Sequence, residues 1–344
     1  MIARGRAGFF GIIIAALAFP TVSSVCEAAS FSCSAPTAPR ERLICADPEL
    51  SRADETLAAA YKAALGALSD TGREALREGQ RQWLRYIQTV CAIGRKAPAD
   101  GTSADCLKDQ YTTRQKQLDS AVVKRGGLVI RRVDIFKAAP SSGAGNGVRY
   151  ARLNTMVVSY PQIDRPSDER EEAWNELVLE HSRAGEAAAG TATDAEEDHD
   201  LTVDYVLGSV SPTLISLRVL IYDDWHGAHG SAADEQITWL IREGRALKAE
   251  DVFHGKQGWD EALARLVLAQ AADEAQKGGY ELPVAEPSEL AGEVSDPTHW
   301  LITERALGVT FEIGAFPHAI AAAIPWRQLK GYLRSPLPFA ISSN

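Results

Sequence analysis

The strongest constraint on this chain is the placement of its cysteines. Cys33, Cys45, Cys91 and Cys106 all lie in the first third of its 344 residues, and no cysteine follows them. A fifth, Cys26, sits in a leader-like segment in which Arg4 and Arg6 precede an apolar run over residues 9–19 and small residues lead to Ala28 and Ala29. That run is too short to cross a bilayer, which takes about 20 apolar residues. Charged, then apolar, then small is the order of a secretory signal peptide. Residues 1–29 are therefore predicted to be a signal peptide, and the mature chain to be periplasmic or secreted. Val25, before Cys26, is bulkier than lipoprotein processing usually accepts. An even number of remaining cysteines in an exported chain predicts two disulfides. Three pairings are open. The local one, Cys33 with Cys45 and Cys91 with Cys106, closes loops of about a dozen residues, each worth about 3 kcal/mol in the chain-entropy account. No Cys-x-x-Cys pair is present, so a zinc cluster is not expected.

Charge narrows the partners. The formal net charge is -10, in a chain with 45% hydrophobic and 24% charged residues. This is ordinary globular composition, at a length that predicts two domains. A strongly acidic chain is poorly suited to nucleic acid, whose phosphates demand Lys and Arg, and to anionic membranes. It favours a basic partner, through steering more than through contact energy. After the leader no run is long and apolar enough to span a membrane.

Between the cysteines the pattern is helical. Asp47-Pro48 is a helix start, with Asp as N-cap and Pro at the first helical position. Leu50, Leu57, Tyr61, Leu65 and Leu68 follow at the spacing of one helical face. Thr71-Gly72-Arg73-Glu74 reads as a capping box opening a second helix, with Leu76, Gln80, Trp83, Ile87 and Val90 on one face and an end near Gly94. A third helix is predicted over 103–123, with Leu107, Tyr111, Arg114 and Leu118 in register. Trp83 and Tyr61 are expected in the core. Several residues then recur in a familiar order: Cys33, Glu41-Arg42-Leu43-Ile44-Cys45, Leu50, Asp54, Tyr61, Gln80-Arg81-Gln82-Trp83-Leu84, Cys91, Cys106, Tyr111 and Arg114. Together they resemble the N-terminal domain of LprI-type lysozyme inhibitors over about residues 31–124. The resemblance implies a lysozyme-binding role. Relatives often carry Arg-Asp shortly before the third cysteine, where this chain has Ile87-Gln88.

The second half reads differently. Residues 128–136 are strand-like, and 138–147 form an Ala/Ser/Gly-rich linker. A strand over 153–160 is expected to end at Pro161, a helix to run over 168–181, and 185–200 to be an acidic loop. Strands over 203–210 and 214–222 fit an antiparallel pair, with Ile215, Leu217, Val219 and Ile221 toward one face and Ser216 and Arg218 toward the other. A strand near 235–241, a helix over 259–277, a hairpin over 300–313 and a short last helix complete the pattern. The fold class is α+β multidomain. A disulfide-stapled helical hairpin or three-helix domain (30–125) and a strand with linker (126–150) precede an antiparallel α+β domain (151–338). Tyr222 to Gly230, Asp251-Val252-Phe253, Phe311-Glu312-Ile313-Gly314 and Ile324-Pro325-Trp326, in that order, resemble the ectodomain of the RsiV anti-sigma factor over about 128–336. That ectodomain binds lysozyme, so the resemblance implies protein binding. Relatives usually have two glycines where this chain has His226-Gly227.

The candidate site is the stretch from Tyr222 to Gly230, with Tyr222, Asp223, Asp224, Trp225, His226 and His229 as ligand-binding residues. Gly227 and Gly230 suggest a turn with unusual backbone angles. The plain alternative is a hairpin whose aromatic rings pack across it. A metal needs three or four ligands, and Asp223, Asp224, His254 and His299 stand at no recognised spacing from His226 and His229. No GxSxG elbow and no phosphate loop is present, so neither catalysis nor a cofactor is expected. The expected partner is lysozyme or another basic muramidase, with peptidoglycan as a further ligand. His226 and His229 are assigned to bracing the loop. The rival readings are a metal-dependent peptidoglycan hydrolase and a non-enzymatic module that binds cell wall or a partner.

Overall fold

A computed structural model describes residues 30–94, 103–140, 153–190, 199–225, 230–255, 258–284, 286–312 and 319–342. The helical region opens with α1 (Pro39–Ala46), a short helix absent from the sequence expectation. Then come α2 (Pro48–Ala67), α3 (Asp70–Val90) and α4 (Ser103–Asp119). Asp47 caps α2 as its position predicts, its Oδ1 accepting from the backbone N–H of Glu49 at 2.8 Å and Leu50 at 3.2 Å. Leu50 and Leu57 of α2, Leu76, Trp83 and Ile87 of α3, and Leu107, Tyr111 and Leu118 of α4 form one core. Tyr61 is half-buried against it. The disulfides take the local pairing, Cys33–Cys45 and Cys91–Cys106, with Cα separations of 5.6 and 5.5 Å.

Two helix boundaries differ from expectation. The cap of α3 is Ser69, two residues before Thr71, and its Oγ accepts from Gly72 N–H at 3.0 Å. The cause is tertiary: Asp164 accepts from Ser69 N–H at 2.7 Å and from Ser69 Oγ–H at 3.0 Å, setting a carboxylate at the helix N-terminus. Gly72 gives that carboxylate room, since a Cβ there would run into Asp164 Oδ1. At the other end α4 stops at Asp119, and Val122 already belongs to a strand paired across the Gly126-Gly127 turn.

Seven strands form one sheet in sequence order: β1 (Val122–Arg125), β2 (Leu128–Pro140), β3 (Leu153–Ile163), β4 (Asp200–Val210), β5 (Leu214–Asp224), β6 (Ser231–Leu240) and β7 (Arg245–Ala246). All neighbours are antiparallel except β3 and β4, joined by α5 (Glu169–Gly190). This helix continues past His181, through part of the segment expected as loop. Nor does Pro161 end β3. Arg132 sends its N–H to Ala121 O, away from β3, so Pro161 opposite it is a non-hydrogen-bonded pair. The proline nitrogen then points toward β4, whose pairing with β3 covers only Thr155 to Val158. No ladder bond is lost.

The two faces of this sheet are covered differently. Ile215, Leu217, Val219 and Ile221 pack with Val158, Val203 and, from α5, Trp174 and Val178. The opposite face carries the helical bundle over β2 and, beside it, a three-stranded sheet of β8 (Trp300–Ile302), β9 (Ala306–Phe311) and β10 (Ile320–Pro325). Ser216 and Thr238 hold the second sheet: Ile302 N–H donates to Ser216 Oγ at 2.9 Å, and Thr238 Oγ1–H to Trp300 O at 3.2 Å. Helix α6 (Trp259–Gly278) covers its far side, with Leu263 and Val267 against Ile320 and Ile324.

A charged network joins bundle to sheet. Asp134 of β2 accepts from Arg114 Nη1 at 2.6 Å, Arg132 Nε at 2.7 Å and Ser159 Oγ at 2.7 Å. Burial alone would raise the Asp134 carboxyl, but the guanidinium groups of Arg114 and Arg132 outweigh it and hold the carboxyl below the usual range. Arg114 is itself fully buried and lies over the Phe136 ring at 5.1 Å.

Candidate functional site at the β5–β6 hairpin

Strands β5 and β6 are longer than their sequence expectation and pair up to Asp223 with Ser231, so the candidate stretch is the closing end of a hairpin. His226, Gly227, Ala228 and His229 lie outside the described residues. The remaining four candidates divide between the two faces of the sheet. Strand alternation sends Tyr222 to the face shared with the bundle and Asp223 to the α5 face. Trp225 stays with Asp223, donating its indole N–H to Asp223 Oδ2 at 3.0 Å. Tyr222 donates its hydroxyl to Asp224 Oδ2 at 3.5 Å and lies over the Cα of Gly230. A Cβ at position 230 would meet the far end of the Tyr222 side chain, so the ring rests against a glycine there. Tyr222 thus packs against Gly230 of the opposite strand end, and both aromatics stay partly in solvent, Tyr222 46% and Trp225 41% exposed.

His199, absent from the sequence reading, completes the α5-face cluster. It is 6% exposed, and its Nε2 bonds Asp223 Oδ1. The imidazole and indole rings meet at 4.2 Å with 35° between planes. Its backbone is pinned to β3, with N–H to Asn154 Oδ1 at 2.9 Å and O from Thr155 N–H at 3.0 Å. Among the described residues His199 braces the hairpin; the bracing role expected of His226 and His229 falls outside them. The available signal was register: Asp200 pairs with Asp224, which sets His199 beside Trp225.

Further along the hairpin the charges face both ways. His181 of α5 meets Glu235 of β6 at 3.1 Å, and that hydrogen bond raises the histidine and lowers the carboxyl. Burial pushes the Asp234 carboxyl up, although Arg218 lies 3.6 Å away. His254 and His299 are remote from this cluster in their contacts: His254 N–H donates to Tyr332 O, and His299 Nδ1 bonds Glu293 O. Among the described residues no group of three His, Cys, Asp or Glu side chains is arranged to hold a metal, and no helix is long and apolar enough to cross a membrane.

In the helical region Trp83, Tyr111 and Arg114 of the motif turn inward, while Arg42 and Arg81 stay exposed. Trp83 and Tyr111 pack edge to face at 5.2 Å, and Tyr111 OH donates to Asp54 Oδ1 at 3.1 Å. Burial, with Asp54 beside it, pushes the Tyr111 hydroxyl above its usual range. Arg114 Nε donates to Gln80 Oε1 at 3.1 Å, and Gln82 Oε1 accepts from Phe136 N–H at 3.1 Å.

Fold and site thus define an α+β protein whose stapled helical bundle is seated on a sheet that ends in an aromatic, acidic hairpin. Residues 33–118 match the family model described as lysozyme inhibitor LprI. No curated protein matches the chain. Among solved structures, a member of the DUF3298 family from Bacteroides fragilis NCTC 9343 is similar, at 12% identity and a TM-score of 0.44, covering 62% of this chain and 96% of that one. A DUF3298 family protein from Pseudomonas aeruginosa PAO1 is similar at 16% identity and a TM-score of 0.41, covering 62% of this chain and 98% of that one.

Proposed function

We propose that this is an exported envelope protein that binds lysozyme-type muramidases and inhibits them. The observation that carries the reading is the lysozyme-inhibitor family match over 33–118, on a region stapled by two disulfides. Disulfides of this kind persist in oxidising compartments, which supports a periplasmic or secreted location. The net charge of -10 suits a basic enzyme as partner. At the hairpin, Tyr222 and Trp225 are the exposed aromatic groups of the kind that dominate binding energy, with Asp224 as the neighbouring acid. The resemblance of the hairpin to the RsiV ectodomain points the same way. Titration of the mature protein into c-type and g-type lysozymes at low salt, alongside a cell-wall lysis assay, tests this. Binding that weakens with salt is expected, with Trp225→Ala losing about 2 kcal/mol, the size of a hot spot. Neither binding nor inhibition of any lysozyme refutes it.

A further inference from the structure

We infer that His199 is a positioning residue that presets the exposed indole of Trp225 as a docking anchor for a cationic side chain of the partner. The partner's identity rests on the reading above; the positioning does not. Three side chains close a triangle: His199 Nε2 on Asp223 Oδ1, Asp223 Oδ2 on the Trp225 indole N–H at 3.0 Å, and the Trp225 ring on His199 at 4.2 Å. Each member is tied to a different part of the fold. His199 is buried and its backbone is bonded to β3. Asp223 sits in register between Leu201 and Ser231. Trp225 follows the last residue of β5 and would otherwise hang at a strand end with its ring largely in solvent. An exposed side chain with free rotamers costs about 0.5–1.5 kcal/mol to immobilise on binding. Here the two contacts fix the ring beforehand, so that cost falls on folding instead.

The same geometry separates the roles of the candidates. Both oxygens of Asp223 are engaged inside the triangle, so it acts as a brace. What remains for a partner is the exposed part of the indole, next to the chain position of Asp224. An exposed aromatic ring on a chain of formal net charge -10 suits an arginine or lysine side chain, through cation–π attraction.

Indole 15N relaxation of the lysozyme-free protein tests positioning, with the Trp225 resonance assigned from Trp225→Phe. In wild type its heteronuclear NOE should match that of the buried tryptophans. In His199→Ala it should fall to the range of a mobile side chain, while His199→Gln, which can still donate to Asp223, should restore it in part. Affinity for lysozyme should drop about two- to tenfold in His199→Ala. The double variant with Trp225→Ala should bind no worse than Trp225→Ala alone. An unchanged NOE in His199→Ala, or losses that multiply in the double variant, overturns the inference. If wild type binds no lysozyme, the functional reading fails, while the indole NOE still decides the positioning. Should His199→Ala not fold, the His199→Gln comparison decides it alone.

Discussion

Removing the carboxylate of Asp134 should cost far more than removing either of the cations it serves. In Asp134→Ala, Arg132 keeps Asp204 at 2.9 Å, whereas the fully buried Arg114 is left with the neutral Gln80 and Gln117, each at 3.1 Å. Orphaning a buried charge in this way costs about 3–5 kcal/mol. In Arg114→Met, by contrast, Asp134 retains Arg132 and Ser159, both at 2.7 Å, and the thioether fills much of the vacated volume. A loss of about 1–2 kcal/mol follows, of the order of one charged hydrogen bond. The double variant should then be more stable than Asp134→Ala alone, because the orphaned cation is gone. Urea unfolding at neutral pH, followed by tryptophan fluorescence and far-UV circular dichroism, gives all three values. A double variant whose loss equals the sum of the singles would refute the reasoning, as would a cost for Asp134→Ala under about 1 kcal/mol. The pH dependence has a definite sign. The carboxyl is held below its unfolded value, so its contribution is present above about pH 3.9 and is lost as pH falls through the lower folded value. Asp134→Ala should lack that acid limb.

Two further outcomes follow from single contacts. Gly72→Ala would raise the stability of an ordinary helix by about 1 kcal/mol, but here the new Cβ meets Asp164 Oδ1. It should destabilise by about 1–3 kcal/mol in urea titrations, and become neutral or stabilising when Asp164→Ala is also present. His181 is raised by its bond to Glu235, so its contribution is fully present below about pH 6.5 and lost as pH rises through the higher folded value. Both partners are well exposed, which limits the effect to a few tenths of a kcal/mol. His181→Gln should flatten the stability difference between about pH 6 and pH 8, as read by thermal melts.

What the sequence made legible was local. Asp47-Pro48 announces α2 because cap and helix are adjacent, and the alternation from Ile215 to Ile221 reads correctly because one face is buried under α5 throughout. The cap of α3 was misplaced because the residue selecting it, Asp164, lies 95 positions away. Periodicity carried α4 too far, since Val122 and Val123 suit either a helix face or a strand, and tertiary pairing with β2 decides. At the site, Tyr222 and Trp225 stood out by composition, but their assignment to opposite faces depends on where β5 ends. His199 was hidden beside an acidic stretch, and its partner Asp223 comes 24 residues later across a strand pairing.

The motif that marks the helical region says more about support than about contact. Ile44, Leu50, Asp54, Trp83, Tyr111 and Arg114 are all buried, so none of them can meet a partner without unfolding. Arg114 and Gln82 spend their polar groups on Asp134 and on the backbone of Phe136, both in β2. Ser69, at the head of α3, is bound by Asp164, which follows β3. The bundle is thus completed by the sheet: cut free of it, Arg114 would lose its carboxylate and the core would lose Phe136 and part of its cover from Val157. A family match confined to 33–118 therefore covers a region whose buried Arg114 is neutralised outside it. The exposed aromatic groups at the end of the β5–β6 hairpin are carried by the same sheet that seats the bundle.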